Sequence, residues 1–121
     1  EPQPREYAPR HGLCYSRSWL QSRNLSPASL CIVQVRGSSM EHALSSGDLV
    51  LVNKADRSPK GGNIYALRQG DELLVKYVNQ VQEGVLRVSS ANPVYQSYDI
   101  DLTRMSDVEI IGRVVASMHE W

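Results

Sequence analysis

Short apolar runs separated by turn residues make up most of the chain after residue 30. In residues 31–36 the apolar side chains of Cys31, Val33 and Val35 alternate with Ile32 and two polar residues, which is the two-residue period of a strand. Residues 49–52 are all apolar, as expected of a strand covered on both faces. The pattern predicts about seven strands, at residues 31–36, 48–53, 63–68, 72–80, 85–89, 98–102 and 108–117.

Helix is predicted only before the first strand. Residues 16–23 can form a short helix that carries Trp19. A second helical turn is predicted at residues 26–30, with Ser26 as N-cap and Pro27 at the first helical position, where its missing N–H has no cost. The expected fold class is therefore mostly β, a compact domain of short, bent antiparallel strands with short helical turns near the N-terminus.

The first residues have a different composition. Pro2, Pro4 and Pro9 lie there among polar and charged residues, and proline fixes φ and removes a backbone donor. We therefore expect residues 1–15 to form a linker or arm and residues 16–121 to form one domain.

Length, composition and charge agree with one soluble domain. The chain has 121 residues, 41% hydrophobic and 21% charged. Thirteen basic residues balance thirteen acidic ones, so no basic excess marks a nucleic-acid surface, and any DNA contacts are expected elsewhere. No apolar run approaches the roughly 18 residues of a membrane span, and no signal core is present, which makes the cytoplasm the expected compartment.

No metal or cofactor is predicted. Cys14 and Cys31 do not form a disulfide framework, and the His11-x-x-Cys14 spacing has no matching second pair. Isolated core or surface positions explain these residues, and also His42 and His119, more simply. Trp19 and Trp121 are expected to be packing residues.

A serine and a lysine are the candidates for chemistry. Ser39 follows a strand-like run that ends in glycine and a serine pair, and Lys76 is the only charged residue between Leu73 and Val78. Burial disfavours the ammonium form and lowers a lysine pKa, and a neutral amine can take the proton of a serine hydroxyl. The alternative is that Ser39 shapes a turn and Lys76 extends its ammonium to water along an apolar stem.

An ordered set of motifs resembles the C-terminal domain of the LexA and phage-repressor family of self-cleaving serine peptidases. The resemblance extends from about residue 16 to the end, and the segments SWL and LSP at 18–20 and 25–27 resemble the prophage repressor branch. The motifs are VRGSSME at 35–41, GDLVLV at 47–52, GNIY at 62–65, VKYV at 75–78, SSANPVY at 89–95 and IGRVV at 111–115.

The resemblance implies a role for three residues. Ser39 matches the family's nucleophile and Lys76 its general base, and the backbone N–H groups of Ser38 and Ser39 match its oxyanion donors. Two positions depart from the pattern. Ser38 stands where an acidic residue or asparagine is more usual, and His42 stands where proline is common.

The resemblance also implies a function. It implies a homodimeric phage-type transcriptional repressor that cleaves its own chain in the DNA-damage (SOS) response, with activated RecA filament or an antirepressor as partner. Operator DNA would be bound by an N-terminal helix-turn-helix domain outside this chain. The family's usual Ala-Gly or Cys-Gly bond does not occur among the eight glycines. The bond therefore precedes this chain, or its loop is divergent, or the domain no longer cleaves itself.

Two other functions remain open. One is a non-catalytic dimerisation and partner-sensing module of a repressor. The other is a signal-peptidase-like processing enzyme, which would normally bring a membrane anchor. Residues 108–117 fit a strand at a dimer interface, and ordinary core packing predicts the same alternation.

Overall fold

The computed structural model describes residues 16–121, and the arm predicted at residues 1–15 lies outside them. Seven strands form one antiparallel sheet in the order β1-β2-β7-β3-β4-β5-β6. The strands are β1 (Leu30–Gln34), β2 (Leu49–Asn53), β3 (Ile64–Gln69), β4 (Glu72–Gln82), β5 (Val85–Ser89), β6 (Tyr98–Asp101) and β7 (Val108–Met118). Each predicted strand agrees with an observed one to within two residues at either end, and the mostly β class is confirmed.

The helical segments also lie where the sequence predicted them. Helix α1 is Arg17–Ser22, and Ser16 caps it by accepting a hydrogen bond of 3.0 Å from the backbone N–H of Trp19. A single 3₁₀ turn, Pro27–Ser29, follows Ser26. Ser26 occupies the N-cap position, but its side chain makes no capping hydrogen bond there. Within residues 16–121, no helix has the length and apolarity needed to cross a membrane.

Strand β7 joins the two halves of the sheet. Its first half, up to Arg113, pairs with β3, and its second half, from Arg113, pairs with β2. The register shifts once in each half, so the strand bends between its two partners. Gly112 lies at the bend, where a Cβ atom would stand 2.3 Å from the carbonyl oxygen of Asn53. Only glycine allows β2 and β7 to approach so closely.

The two faces of the sheet carry separate hydrophobic clusters. Leu73 and Val75 of β4 belong to the first, whereas Val78 belongs to the second and Leu74 packs against it. This arrangement confirms that both faces of β4 are apolar. The buried members of the first cluster are Cys31, Val33, Val35, Met40, Leu44, Val50, Val52, Ala66, Leu73 and Val75. Those of the second are Tyr65, Leu67, Val78, Leu86, Val88 and Ile100.

Candidate active site

Ser39 lies in a long loop between β1 and β2, the Ser39 loop (residues 35–48). Two backbone hydrogen bonds of 2.8 Å close its base, one from the N–H of Val35 to the oxygen of Asp48 and one from the N–H of Gly47 to the oxygen of Val35. Gly37 has a φ of +79°, a backbone conformation that suits glycine. The loop is therefore closed at its base and turns sharply just before Ser39.

Met40 anchors the loop to the core beside Ser39. Its side chain is 1% exposed, and the nearby Leu44 is also buried in the first cluster. The backbone oxygen of Met40 accepts hydrogen bonds of 2.9 Å from Ala43 and 2.7 Å from Leu44, which form one tight turn. Because Met40 is buried in the core, the backbone of the half-buried Ser39 next to it is held in place.

Lys76 projects from β4 and is half-buried. Its Nζ donates a hydrogen bond of 2.9 Å to Oγ of Ser90 and lies 5.6 Å from the centre of the Tyr95 ring. Burial lowers the pKa of the Lys76 amine below its ordinary value. The amine therefore has a protein partner, and its neutral form is favoured more than in an exposed lysine.

Ser39 and Lys76 line the same small cavity, whose volume is about 40 Å³. The Ser39 loop and strand β4 supply all but one of the residues in its wall. Its lining residues are Gln34, Val35, Arg36, Ser39, Met40, Leu73, Leu74, Val75 and Lys76. Among residues 16–121, no hydrogen bond joins the side chains of Ser39 and Lys76, and the amine of Lys76 donates to Ser90 instead.

A turn that follows β5 makes hydrogen bonds to the backbone of the Ser39 loop. This Asn92 turn (residues 92–95) is closed by a hydrogen bond of 3.1 Å from the N–H of Tyr95 to the oxygen of Asn92. The backbone N–H of Asn92 donates to the oxygen of Ser39 at 2.9 Å, and its Nδ2 donates to the oxygen of Ser38 at 3.1 Å. The only sequence signal for this contact was the SSANPVY motif, since an Asn-Pro pair alone predicts a turn.

These contacts fix the direction of one backbone donor. A trans peptide is planar, so its N–H points opposite to its C=O. With the oxygen of Ser38 held by Nδ2 of Asn92 and by the backbone N–H of Glu41, both at 3.1 Å, the N–H of Ser39 is oriented as well. Neither Ser38 nor Ser39 donates its backbone N–H to an acceptor in the part of the chain that the structure describes. Both donors are therefore available to an external oxygen atom.

The two departures from the family pattern have structural consequences. The hydroxyl of Ser38 shares a hydrogen bond of 3.3 Å with the hydroxyl of Tyr95. His42 has a φ of +62°, which proline cannot adopt because its ring locks φ near −65°. The backbone at this point is therefore compatible with histidine and incompatible with the more usual proline.

His119 has a specific contact with a buried carboxylate. Its Nδ1 pairs with Oδ1 of Asp48, and its ring forms a T-shaped pair with the ring of Trp121, with the ring centres 4.8 Å apart. No local pattern in the sequence indicates this partner, and an isolated residue is the expectation for His119. Trp19 packs, as predicted, against a third hydrophobic cluster, whose buried residues are Ile32 and Leu51. The expectation that Trp121 is a packing residue is wrong for the core, because its side chain is fully exposed.

The described residues contain no arrangement suited to a metal ion. No group of three or more His, Cys, Asp or Glu side chains is placed to bind one within residues 16–121. Cys31 is buried in the first cluster. His11 and Cys14 lie outside the described residues.

Comparison with known proteins identifies the family. The Peptidase S24-like family model matches residues 4–115. A LexA repressor of Herminiimonas arsenicoxydans is 34% identical over 91 residues, which are 74% of this chain and 40% of that protein. The transcriptional regulator PrtR of Pseudomonas aeruginosa is 29% identical over 105 residues, 84% of this chain and 41% of its own length. The repressor protein CI of Enterobacteria phage phi80 is 33% identical over 78 residues, 64% of this chain and 32% of its own length.

The chain thus spans less than half the length of these relatives. The match nevertheless covers nearly all of the domain described above, including the Ser39 loop, β4 and the Asn92 turn. The chain therefore belongs to the Peptidase S24-like family and is similar to the C-terminal domain of LexA and phage repressors.

Proposed function

We propose that this chain is the C-terminal domain of a phage-type transcriptional repressor, which inactivates the repressor by Ser-Lys self-cleavage in the DNA-damage (SOS) response. One observation carries the proposal. Ser39 and the half-buried Lys76 line one cavity, and burial lowers the pKa of the Lys76 amine. A serine needs a neighbouring base to become a good nucleophile, and a lysine becomes a base when its neutral form is accessible.

The reaction starts with a proton transfer. Neutral Lys76 takes the proton of the Ser39 hydroxyl as the oxygen forms a bond to the scissile carbonyl carbon. The carbonyl oxygen becomes negative and accepts hydrogen bonds from the N–H groups of Ser38 and Ser39. Donors of this kind typically contribute on the order of 3 kcal/mol each to the transition state.

The remaining steps of the reaction break the peptide bond and return Ser39 and Lys76 to their starting protonation states. The Lys76 ammonium gives its proton to the leaving amine as the peptide C–N bond breaks, which leaves an ester on Ser39. Lys76 then takes a proton from water, whose oxygen attacks the ester carbonyl. The acid is released and Ser39 regains its proton. General base catalysis of this kind contributes about 10²- to 10⁴-fold.

The proposal includes partners that the relatives suggest. The names LexA repressor and repressor protein CI support a role as a repressor. The proposal places this repressor in the cytoplasm as a homodimer. The binding of operator DNA is assigned to a separate N-terminal domain. This chain has thirteen basic and thirteen acidic residues and so lacks the basic excess typical of a DNA-binding surface. Activated RecA filament or an antirepressor is the proposed trigger.

The test uses the full-length protein that carries this domain. Incubation at alkaline pH, or with activated RecA filament, should yield one specific pair of fragments. Ser39→Ala and Lys76→Ala should each abolish cleavage, whereas Ser97→Ala and Lys60→Ala, at exposed positions, should not. Mass spectrometry of the fragments identifies the bond that is cut.

The second candidate is a non-catalytic dimerisation and partner-sensing module. One feature of the sequence favours this module. No glycine is preceded by alanine or cysteine, so the family's usual cleavage bond does not occur in this chain. A fluorophosphonate reagent separates the two candidates without a peptide substrate, since it labels an activated serine directly. Labelling of Ser39 that requires Lys76 supports the peptidase. An unlabelled Ser39 together with an intact chain supports the module.

A further inference from the structure

We propose that Ser90 is a positioning residue that holds the Lys76 amine in the direction of Ser39, an inference that rests on the proposed Ser-Lys chemistry. The carrying observation is the hydrogen bond of 2.9 Å from Nζ of Lys76 to Oγ of Ser90, in a partly buried setting. Neither the motifs nor the alternation of β4 indicated this contact.

The register of the sheet explains why Ser90 meets Lys76. Strands β4 and β5 are antiparallel, and Tyr77 lies opposite Ser89. The next pair along the same register is Lys76 and Ser90, so their side chains lie on the same face of neighbouring strands. Ser89 projects to the other face and provides a matched control.

The chemistry of the amine explains what the contact does. A neutral lysine amine has two N–H bonds and one lone pair, and rotation about its last carbon–nitrogen bond moves that lone pair. When Ser90 accepts one N–H, the amine loses much of this rotation, and its lone pair can be held toward the cavity that Ser39 lines. A misplacement of about 1 Å at a reacting group can cost on the order of 100-fold in rate.

A hydroxyl suits this task better than a carboxylate. A carboxylate beside Lys76 would stabilise the ammonium form and remove the base. The Ser90 oxygen accepts a hydrogen bond from either protonation state and adds no charge. Within residues 16–121, no acidic side chain forms an ion pair with Lys76. The Tyr95 ring, whose centre lies 5.6 Å from the amine, favours the ammonium form, and Arg36 lines the same cavity.

The test measures the rate at which a fluorophosphonate reagent labels Ser39 between pH 6 and pH 10. In this reaction the Ser39 oxygen forms a bond to phosphorus, fluoride leaves, and Lys76 takes the proton. We expect Ser90→Ala to slow labelling by about 10- to 100-fold at its plateau and to move the midpoint of the pH profile to lower pH, because the ammonium form loses its acceptor. Ser90→Thr keeps the hydroxyl and should stay within about threefold of the wild type, and Ser89→Ala should match the wild type.

Two results would overturn the proposal. One is a Ser90→Ala variant that labels at the wild-type rate or faster, and the other is an equal loss in Ser90→Ala and Ser90→Thr. Failure of the proposed function has a different signature, because Ser39 of the wild type would then be unlabelled or would be labelled without Lys76.

A second measurement is independent of catalysis. NMR should resolve two distinct Hε signals for Lys76 in the folded wild-type domain, as expected of an amine held in one direction. These signals should merge in Ser90→Ala and stay separate in Ser90→Thr. Merged signals in the wild type would overturn the proposal even if no labelling occurs.

Discussion

Nδ1 of His119 lies 2.5 Å from Oδ1 of Asp48, although 71 residues separate the two in the chain. Asp48 is 6% exposed, and its second oxygen accepts a hydrogen bond of 2.9 Å from the backbone N–H of Ser45. Burial alone would raise the pKa of the Asp48 carboxyl, but the bonds from Ser45 and His119 outweigh it and hold the pKa below its ordinary value. The pair connects His119, which follows β7, to Asp48 at the base of the Ser39 loop.

Removing the charge of Asp48 should therefore destabilise the fold in a pH-dependent way. We expect Asp48→Asn to lower the free energy of unfolding by about 2 kcal/mol at pH 7, measured by urea denaturation. Because the folded pKa is depressed, the stabilisation is complete above the unfolded value of about 3.9 and is lost as pH falls through the folded value. The variant and the wild type should converge once the pH falls below the folded pKa of Asp48. Asp71→Asn, at an exposed position, is the control, and a gap that persists in acid would contradict the assignment.

The base role of Lys76 predicts a particular pH profile. Labelling of Ser39 should rise with pH through the folded pKa of Lys76, which burial places below the ordinary value of about 10.4, and level off above it. Lys76→Arg keeps a positive charge at every accessible pH, so labelling should fall by about 10²- to 10⁴-fold throughout. Lys60→Arg, at an exposed position, should retain the wild-type profile. A rising profile in the Lys76→Arg variant would show that another group is the base.

The Asn92 turn should affect reactivity more than stability. Asn92→Asp replaces one of the two donors to the Ser38 oxygen with a carboxylate oxygen that repels it. The backbone N–H of Glu41 still donates to that oxygen at 3.1 Å, and the backbone bond from Asn92 to Ser39 remains. We expect labelling of Ser39 to slow by about 10-fold and the free energy of unfolding to change by less than about 1 kcal/mol. The control is Asn79→Asp, at an exposed position of β4. Unchanged labelling in Asn92→Asp would mean that the turn does not orient the Ser39 N–H.

Gly112 should be the glycine least tolerant of a methyl group. A Cβ atom there stands 2.3 Å from the oxygen of Asn53, a backbone atom that the sheet holds in place. We expect Gly112→Ala to lower the free energy of unfolding by about 2 to 3 kcal/mol, measured by urea denaturation. Gly61→Ala is the matched control, because its Cβ would meet the exposed side chain of Asn79 at 3.2 Å, which can move away. Equal effects of the two substitutions would contradict the close approach of β2 and β7.

Local patterns in the sequence determined the elements and the candidate chemistry. Short apolar runs bounded by turn residues identified seven strands, because side chains alternate between the two faces of a strand and turn residues mark its ends. The same alternation placed Lys76 among apolar residues on β4, where it is half-buried. The assignment of Ser39 and Lys76 as a pair came from the family resemblance, and their roles remain a prediction.

Only the tertiary structure decided which residues meet. The contacts of Asn92 with Ser38 and of His119 with Asp48 span 54 and 71 residues, and that of Lys76 with Ser90 depends on the register of β4 and β5. A hydrophobic pattern indicates that a face of a strand is buried, but it does not indicate which residues pack against that face. Strand order, register and loop conformation supply that information, because they are fixed only when the whole sheet forms.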